Sequence, residues 1–364
     1  VGKSGKQKGP LWARLCIAFG TVIVLLSGGT LVAGKLALDK VEGSVHKADL
    51  FGEPPPRYVS EESTITGPLN ILLVGIDPRP ERPGEAPRGD SVMVLHVPRS
   101  MDRAYLFSLP RDLLVQIPRW EPARFEGHRR DKLTHAMFYG ASRSDGQPSD
   151  VASGFALMAR TVSGYTGIKE FDAGAVINFS GFTKVVDALG GVTMDIDQRV
   201  ESIHVTPDGQ ARWLLPGNPP RKTYEPGRQH LNGWQALDYV RQRYTEGGDY
   251  SRQRHQQQFI RAMVDQAVSK SVVTNPAKLS SVIEAAGASL TFDGRGRSIA
   301  DFALALRGIS PSDMTLVKLP GENVGSGYGY QGEQLLPIAA GFFEALNAGQ
   351  IDEFIVGHPE LVNK

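Results

Sequence analysis

Apolar residues fall along this chain in three patterns, and each predicts a different kind of element. The first is one long run. Positions 15–34 hold twenty residues without a charge, enough to span the hydrocarbon core of a bilayer as a helix. Lys3, Lys6, Lys8 and Arg14 precede it with no acidic residue, whereas Lys35 is soon followed by Asp39 and Glu42. That asymmetry places a tail at 1–14 in the cytoplasm and everything beyond residue 35 outside it. Val32, Ala33 and Gly34 also suit a cleavage site, but the run exceeds the apolar core of a signal peptide, so an uncleaved anchor is the better reading. Positions 35–66 are polar, with Pro54-Pro55-Pro56 and Glu61-Glu62-Ser63-Thr64, and read as an extracytoplasmic stalk ahead of a folded domain at 67–364.

The second pattern is a set of short apolar or β-branched runs at 69–76, 91–97 and 104–109, bounded by Pro, Gly or Asp, which predict strands. The connection 98–103 is short, so the second and third run antiparallel. If the first two do as well, one sheet edge collects Asp77, Arg88, Asp90 and Arg111. The loop 78–89 carries four prolines and three arginines and belongs in solvent.

The third pattern is helical. It marks 155–165 and 179–189, the latter stopped by Gly190-Gly191 and followed by a strand at 192–196. A polar excursion at 197–228 separates these from Leu231, Trp234, Leu237 and Val240, an i, i+3 stripe with Arg241 and Arg243 at its end. After Gly247-Gly248 another helix starts near Ser251, with Phe259, Ile260, Met263, Val264 and Ala267 as its apolar face. Arg252 and Gln256 extend that face toward its start. Arginine in a first turn opposes the helix dipole, and an anion bound there would resolve the conflict. Beyond 270, positions 298–306 and 333–346 read as helical, 314–319 as a strand, and the glycine-rich 321–332 as a loop. All of this belongs to the same α/β unit, since 95 residues alone form a poor core.

Composition narrows the chemistry. With 364 residues, 41% hydrophobic and 22% charged, the chain builds a core, and its net charge of +1 excludes a general affinity for nucleic acid. The single cysteine, Cys16, excludes an intrachain disulfide and cysteine-based zinc sites. Two carboxylates flanked by arginines at a sheet edge suit a hard divalent cation bridging to phosphate. The plainer reading of the same residues makes Asp77 a turn cap and Asp90 a surface partner of Arg88.

Five motifs in order tip the balance: Asn70-Ile-Leu-Leu-Val-Gly-Ile-Asp77, Arg88-Gly-Asp90-Ser-Val-Met, Ser108-Leu-Pro-Arg111-Asp112, Asp131-Lys132-Leu-Thr-His-Ala, and the block from Arg241 to Gln258. Over roughly 67–270 the chain resembles the LytR-CpsA-Psr family of membrane-anchored enzymes. The resemblance implies a mixed central β-sheet between helices, an α-β-α arrangement, with a lipid in an apolar channel and its pyrophosphate at the mouth. It implies transfer of an anionic glycopolymer from a polyprenyl-pyrophosphate carrier to a peptidoglycan hydroxyl with Mg²⁺, at the outer side of the cell membrane. Asp77 and Asp90 match the metal-coordinating, catalytic aspartates. Arg88, Arg111, Arg241, Arg243 and Arg252 match the pyrophosphate-binding arginines, Arg111 also being catalytic. Lys132 and Gln257 match polar residues near the same head group. The family usually has Arg where this chain has His255, so Arg254 or His255 itself is expected to take that role. Asp90 or Asp112 is a possible base, with Asp112 equally suited to a structural pairing. Hydrolysis of the lipid pyrophosphate, with water in place of the wall hydroxyl, needs the same residues. Non-catalytic polyanion binding is the other alternative, though it gains nothing from Asp77 and Asp90.

Overall fold

The computed structural model describes residues 46–52, 65–77, 84–143, 147–268 and 290–363, with isolated positions between 281 and 287. The tail 1–14, the anchor 15–34 and most of the stalk lie outside the described residues, as does 78–83 of the first loop. No helix among the described residues is long and apolar enough to cross a membrane.

In chain order, β1 (His46–Lys47), β2 (Leu69–Ile76), β3 (Gly89–Val97) and β4 (Ala104–Leu109) come first. The hairpin of β5 (Leu114–Ile117) and β6 (His128–Lys132) leads into α1 (Leu133–Ala141) and α2 (Val151–Thr166), and β7 (Ala173–Asn178) follows. Next come α3 (Phe179–Ala188), β8 (Val192–Ile196), β9 (Val200–Glu201), β10 (Thr223–Tyr224), β11 (Gly227–Leu231), α4 (Gly233–Arg241) and α5 (Gly248–Val268). The last part supplies β12 (Leu290–Asp293), α6 (Ile299–Ala305), β13 (Met314–Val317), β14 (Gly321–Val324), β15 (Gly332–Leu335), α7 (Ile338–Ala348) and α8 (Ile351–Gly357).

Seven strands form one mixed sheet in the order β1-β12-β7-β2-β3-β4-β13. The expected antiparallel pairs are present, with Leu72 opposite Val94 and Val94 opposite Phe107. β7 joins β2 in parallel and β13 joins β4 in parallel. Covered on both sides, β4 is buried at every position, as a strand inside an α-β-α sandwich must be. On one face Leu72, Val94 and Phe107 pack with Met137, Phe155 and Phe342. On the other, Met93, Leu106 and Leu316 pack with Ile260 of α5. α1 and α2 approach closely because both are glycine at the crossing. A Cβ on Gly140 would meet Leu157 Cβ at 2.8 Å and Gly154 Cα at 2.9 Å.

Three expectations need correction. Part of the stalk belongs to the fold: β1 pairs with β12, and Leu50 and Phe51 are buried, Phe51 meeting Phe155 edge to face. The sparse apolar content of 35–66 hid this, because two well-placed side chains suffice. The glycine-rich 321–332 is a loop only at 325–331, and its ends belong to an antiparallel hairpin, Glu322 opposite Gln334. Positions 332–335 are strand rather than helix, since the Glu333 N–H donates to the Asp112 carbonyl at 2.8 Å, and the helix begins only after Pro337.

Candidate active site

The site forms where β2 and β4 end and β3 begins. Pairing between β2 and β3 steps from Gly75 opposite Ser91 to Ile76 opposite Gly89. Asp90 is therefore the extra residue of a bulge, a device that re-aims a side chain out of the ladder. Its carboxylate accepts a hydrogen bond from Arg111 Nη1, just beyond β4. Asp77, one residue past β2, accepts from Arg241 Nη2 at 2.5 Å. The capping box of Asn232 and Gln235 fixes the start of α4, whose last turn presents Arg241.

Asp77, Glu85, Arg88, Asp90, Arg111 and Arg243 surround an open polar pocket of about 350 Å³. Arg88 lies over the Phe138 ring, 5.1 Å from its centroid. Neither Arg88 nor Arg243 forms a salt bridge among the described residues. Crowding by protein atoms, and then the charges of Arg111 and Arg252, push the Arg243 guanidinium below its ordinary pKa. Unmatched positive charge of this kind is a place for an anion.

Beside the pocket lies an apolar cavity of about 50 Å³, lined among others by Leu73, Met93, Phe182, Leu237, Phe259 and Ile260. The two share a boundary. Gly75 and Ser91 line the cavity, Asp77 and Asp90 line the pocket, and Ser91 Oγ donates to Gln256 at 2.9 Å between them.

The remaining sequence-derived residues take varied places. Lys132 flanks the pocket, with its ammonium 3.4 Å from Asp112 and 4.8 Å from the Tyr330 ring centroid, while Asp112 also lies 3.6 Å from Arg111 Nε. Arg252 is 4% exposed, bonds Asp249 at 2.8 Å and donates to the Asp90 carbonyl at 2.7 Å, so it holds the bulge from behind. The charge conflict in this first helical turn is met within the chain by Asp249. Burial pushes the Asp249 pKa up, but Arg252 outweighs that and lowers it.

Gln257 is not brought to the pocket. Buried, it donates to Ser108 Oγ and the Val317 carbonyl, both at 3.0 Å, and accepts from Asn363 at 2.8 Å. Nor do Arg254 and His255 line the pocket. Both bond Asp197, Arg254 Nε at 2.6 Å and His255 Nε2 at 2.9 Å. Burial raises the Asp197 pKa, but His255 and Arg254 overcome it and hold the carboxyl at about 2. Glu85 was missed because the proline-rich loop reads as solvent-facing, and Asp249 because it pairs with a residue only three positions on.

The donor set can be tested against Mg²⁺. Asp77 and Asp90 are two hard carboxylates facing one pocket, and Mg²⁺ is commonly bound by one or two carboxylates together with phosphate oxygens and water. Among the described residues there is no cluster of three or more His, Cys, Asp or Glu able to hold a metal by themselves. The residues therefore fit a cation that arrives with a phosphate, and do not form a closed all-protein cage.

Fold and site together define an α/β protein with a cationic pocket at the end of a mixed sheet, next to an apolar cavity. The chain belongs to the LytR_cpsA_psr family, which it matches over residues 38–338. It is 30% identical to cell wall biosynthesis protein LcpA of Corynebacterium glutamicum, across 92% of this chain and 65% of that one. It thus spans about two thirds of that relative's length. It is 26% identical to polyisoprenyl-teichoic acid–peptidoglycan teichoic acid transferase TagU of Oceanobacillus iheyensis, across 76% of each. The fold is like that of TagT bound to LIIa-WTA, with a TM-score of 0.54, 23% identity, and 82% of this chain and 97% of that one covered. It is also like B. subtilis TagV, with a TM-score of 0.55, 20% identity, and 79% and 98% covered.

Proposed function

We propose that this chain is a membrane-anchored phosphotransferase, which moves an anionic glycopolymer from a polyprenyl-pyrophosphate carrier to a hydroxyl of peptidoglycan outside the cytoplasm. One observation carries the reading: a pocket with unmatched arginines sits directly on an apolar cavity. A lipid pyrophosphate has the same two parts in the same order. The names of relatives that act on teichoic acid and peptidoglycan support it.

In this reading the first isoprene units enter between Phe182, Leu237 and Phe259, and membrane lipid holds the rest of the carrier. Arg88, Arg111, Arg241 and Arg243 receive the pyrophosphate, and their guanidinium groups offset charge that builds on the phosphate oxygens during transfer. Because these groups stand on strand and helix ends, orientation is set before the donor arrives. Asp77 and Asp90 would hold Mg²⁺, which would further neutralise the phosphate oxygens.

The test is direct. The full chain is given lipid-linked glycopolymer, peptidoglycan fragments and Mg²⁺, and covalent polymer on the fragments is measured. Transfer is expected. Release of free polymer with none on the fragments would assign hydrolysis instead, and donor binding without turnover would assign a polyanion-binding wall protein.

A further inference from the structure

Each aspartate of the site already holds a cation: Asp77 holds Arg241, Asp90 holds Arg111, and Asp112 lies between Arg111 and Lys132. A carboxylate engaged in this way must release its partner before it can take a proton. One turn of helix away stands a cluster that the pocket does not use. Asp131, at the end of β6, accepts from His135 Nδ1 at 2.8 Å, His128 Nδ1 at 2.9 Å, Tyr139 Oη at 2.8 Å and the Lys132 N–H at 2.7 Å. Partial burial raises its pKa, but these bonds, led by the two histidines, outweigh it and hold the carboxyl at about 2.

An ionised carboxylate only accepts hydrogen bonds, so His135 Nδ1 carries a proton and, in the neutral ring, Nε2 holds the lone pair. That Nε2 makes no hydrogen bond among the described residues. The cluster is tied to the pocket at two points. The Thr134 N–H donates to the Arg111 carbonyl at 2.9 Å, which fixes the first turn of α1 to the end of β4. His135 and Phe138, three residues apart, share a face of α1, and the pocket residue Arg88 lies over Phe138. His135 thus lies on the helix face that carries Phe138, one turn after Lys132.

We infer that His135, oriented by Asp131, is the general base that takes the proton of the incoming hydroxyl. The inference rests on the transferase reading. In the step, the hydroxyl oxygen bonds to the phosphorus that bears the glycopolymer. The bond from that phosphorus to the bridging oxygen breaks, its electron pair leaves on polyprenyl phosphate, and the hydroxyl proton moves to His135 Nε2 and then to water. Asp131 is a positioning residue: it fixes the tautomer and the ring.

The groups facing His135 are few. Asp131 and His128 come from β6, Tyr139 from α1 itself and Lys132 from the junction, while Arg88, from the segment before β3, acts on Tyr139 of the same cluster. α2 meets the opposite face of α1 through Gly154 and Leu157. In the turn at 121–123, Glu121 is paired with Arg119.

The measurement is release of polyprenyl phosphate by the full chain from a polyprenyl-pyrophosphate-linked glycan, since transfer and hydrolysis both yield it. His135→Ala and His135→Gln should lower kcat by about 10²–10⁴-fold, the usual share of a general base, with KM for the donor nearly unchanged. The acidic limb of the wild-type pH profile should vanish in both, and imidazole should restore part of the rate in His135→Ala. Asp131→Asn should lose rate similarly without imidazole rescue, because the ring still fills its place. Wild-type rate in His135→Gln, or a loss that leaves the acidic limb intact, would overturn the base alone. No release by the wild type would overturn the transferase reading and the base with it.

Discussion

Arg243 and Arg111 line the same pocket in different electrostatic positions, and the difference is measurable. Arg243 holds no carboxylate, so Arg243→Ala should weaken binding of a polyprenyl pyrophosphate by about 1.5–3 kcal/mol, as for a lost hydrogen bond to a charged group. The melting temperature should hold or rise slightly, because repulsion from Arg111 and Arg252 is relieved. Arg111→Ala should lose affinity and stability together, since it strands Asp90, whose side chain is only 20% exposed. Arg241→Ala should unsettle the fold less, its pair with Asp77 being 35% exposed on both sides and better screened. Calorimetry with the lipid pyrophosphate and thermal melts on the same variants check all three. Glu333 gives a pH test. It is 5% exposed, one carboxyl oxygen lacks a partner, and burial followed by Asp249 raises its pKa. The folded state thus keeps a proton that the unfolded chain gives up, and stability falls as pH rises past the ordinary glutamate value. Glu333→Gln should raise the melting temperature at neutral pH and leave it unchanged near pH 4. The convergence of Asp77, Arg88, Asp90 and Arg111 was legible because antiparallel order decides which strand ends meet. The place of Gln257 was not, because helical period tells which face turns inward and not what that face meets.

At the scale of elements, the crossing of α1 and α2 carries a sharp constraint. Gly140→Ala places a methyl group 2.9 Å from Gly154 Cα and 2.8 Å from the Ser153 carbonyl, backbone that cannot swing aside. A destabilisation of about 1–3 kcal/mol is expected from such overpacking, read as a lower denaturant midpoint. Activity should fall as well, since the Thr134 contact to Arg111 rides on the same helix and Lys132 caps its start. The strands and long helices were legible because buried runs and an i, i+3 stripe are strong periodic signals. β14 and β15 were not, because glycine dilutes alternation and the pairing is set by a partner far away, the Asp112 carbonyl. β1 is too short to show any period.

The whole molecule depends on its last hundred residues, which hold no motif. β13 closes the edge beside β4, Phe107 packs against Phe342 and Phe343, and Asn363 bonds Gln257. A chain ending at residue 270 keeps all five motifs yet exposes the β4 edge and half of one core face. It should fail to give a cooperative melt and should be digested rapidly in limited proteolysis, while a chain ending at 363 resists. The unity of the domain was legible from the shortage of apolar runs after 270. That those runs complete the sheet holding the site was not, since parallel pairing across two hundred residues leaves no local trace.

The ion pairs Asp77–Arg241 and Asp90–Arg111 join the groups that the proposed metal and the pyrophosphate each require. Either ligand alone must compete with an existing pair, whereas both together exchange partners and leave no charge stranded. Their affinities are therefore linked, and the factor by which one tightens the other must be the same in both directions. Calorimetric titration of inorganic pyrophosphate with and without Mg²⁺, corrected for their association in solution, should show a coupling of about tenfold or more, within the usual range for linked sites. Asp77→Asn with Asp90→Asn should abolish that coupling while leaving metal-free pyrophosphate binding equal or tighter.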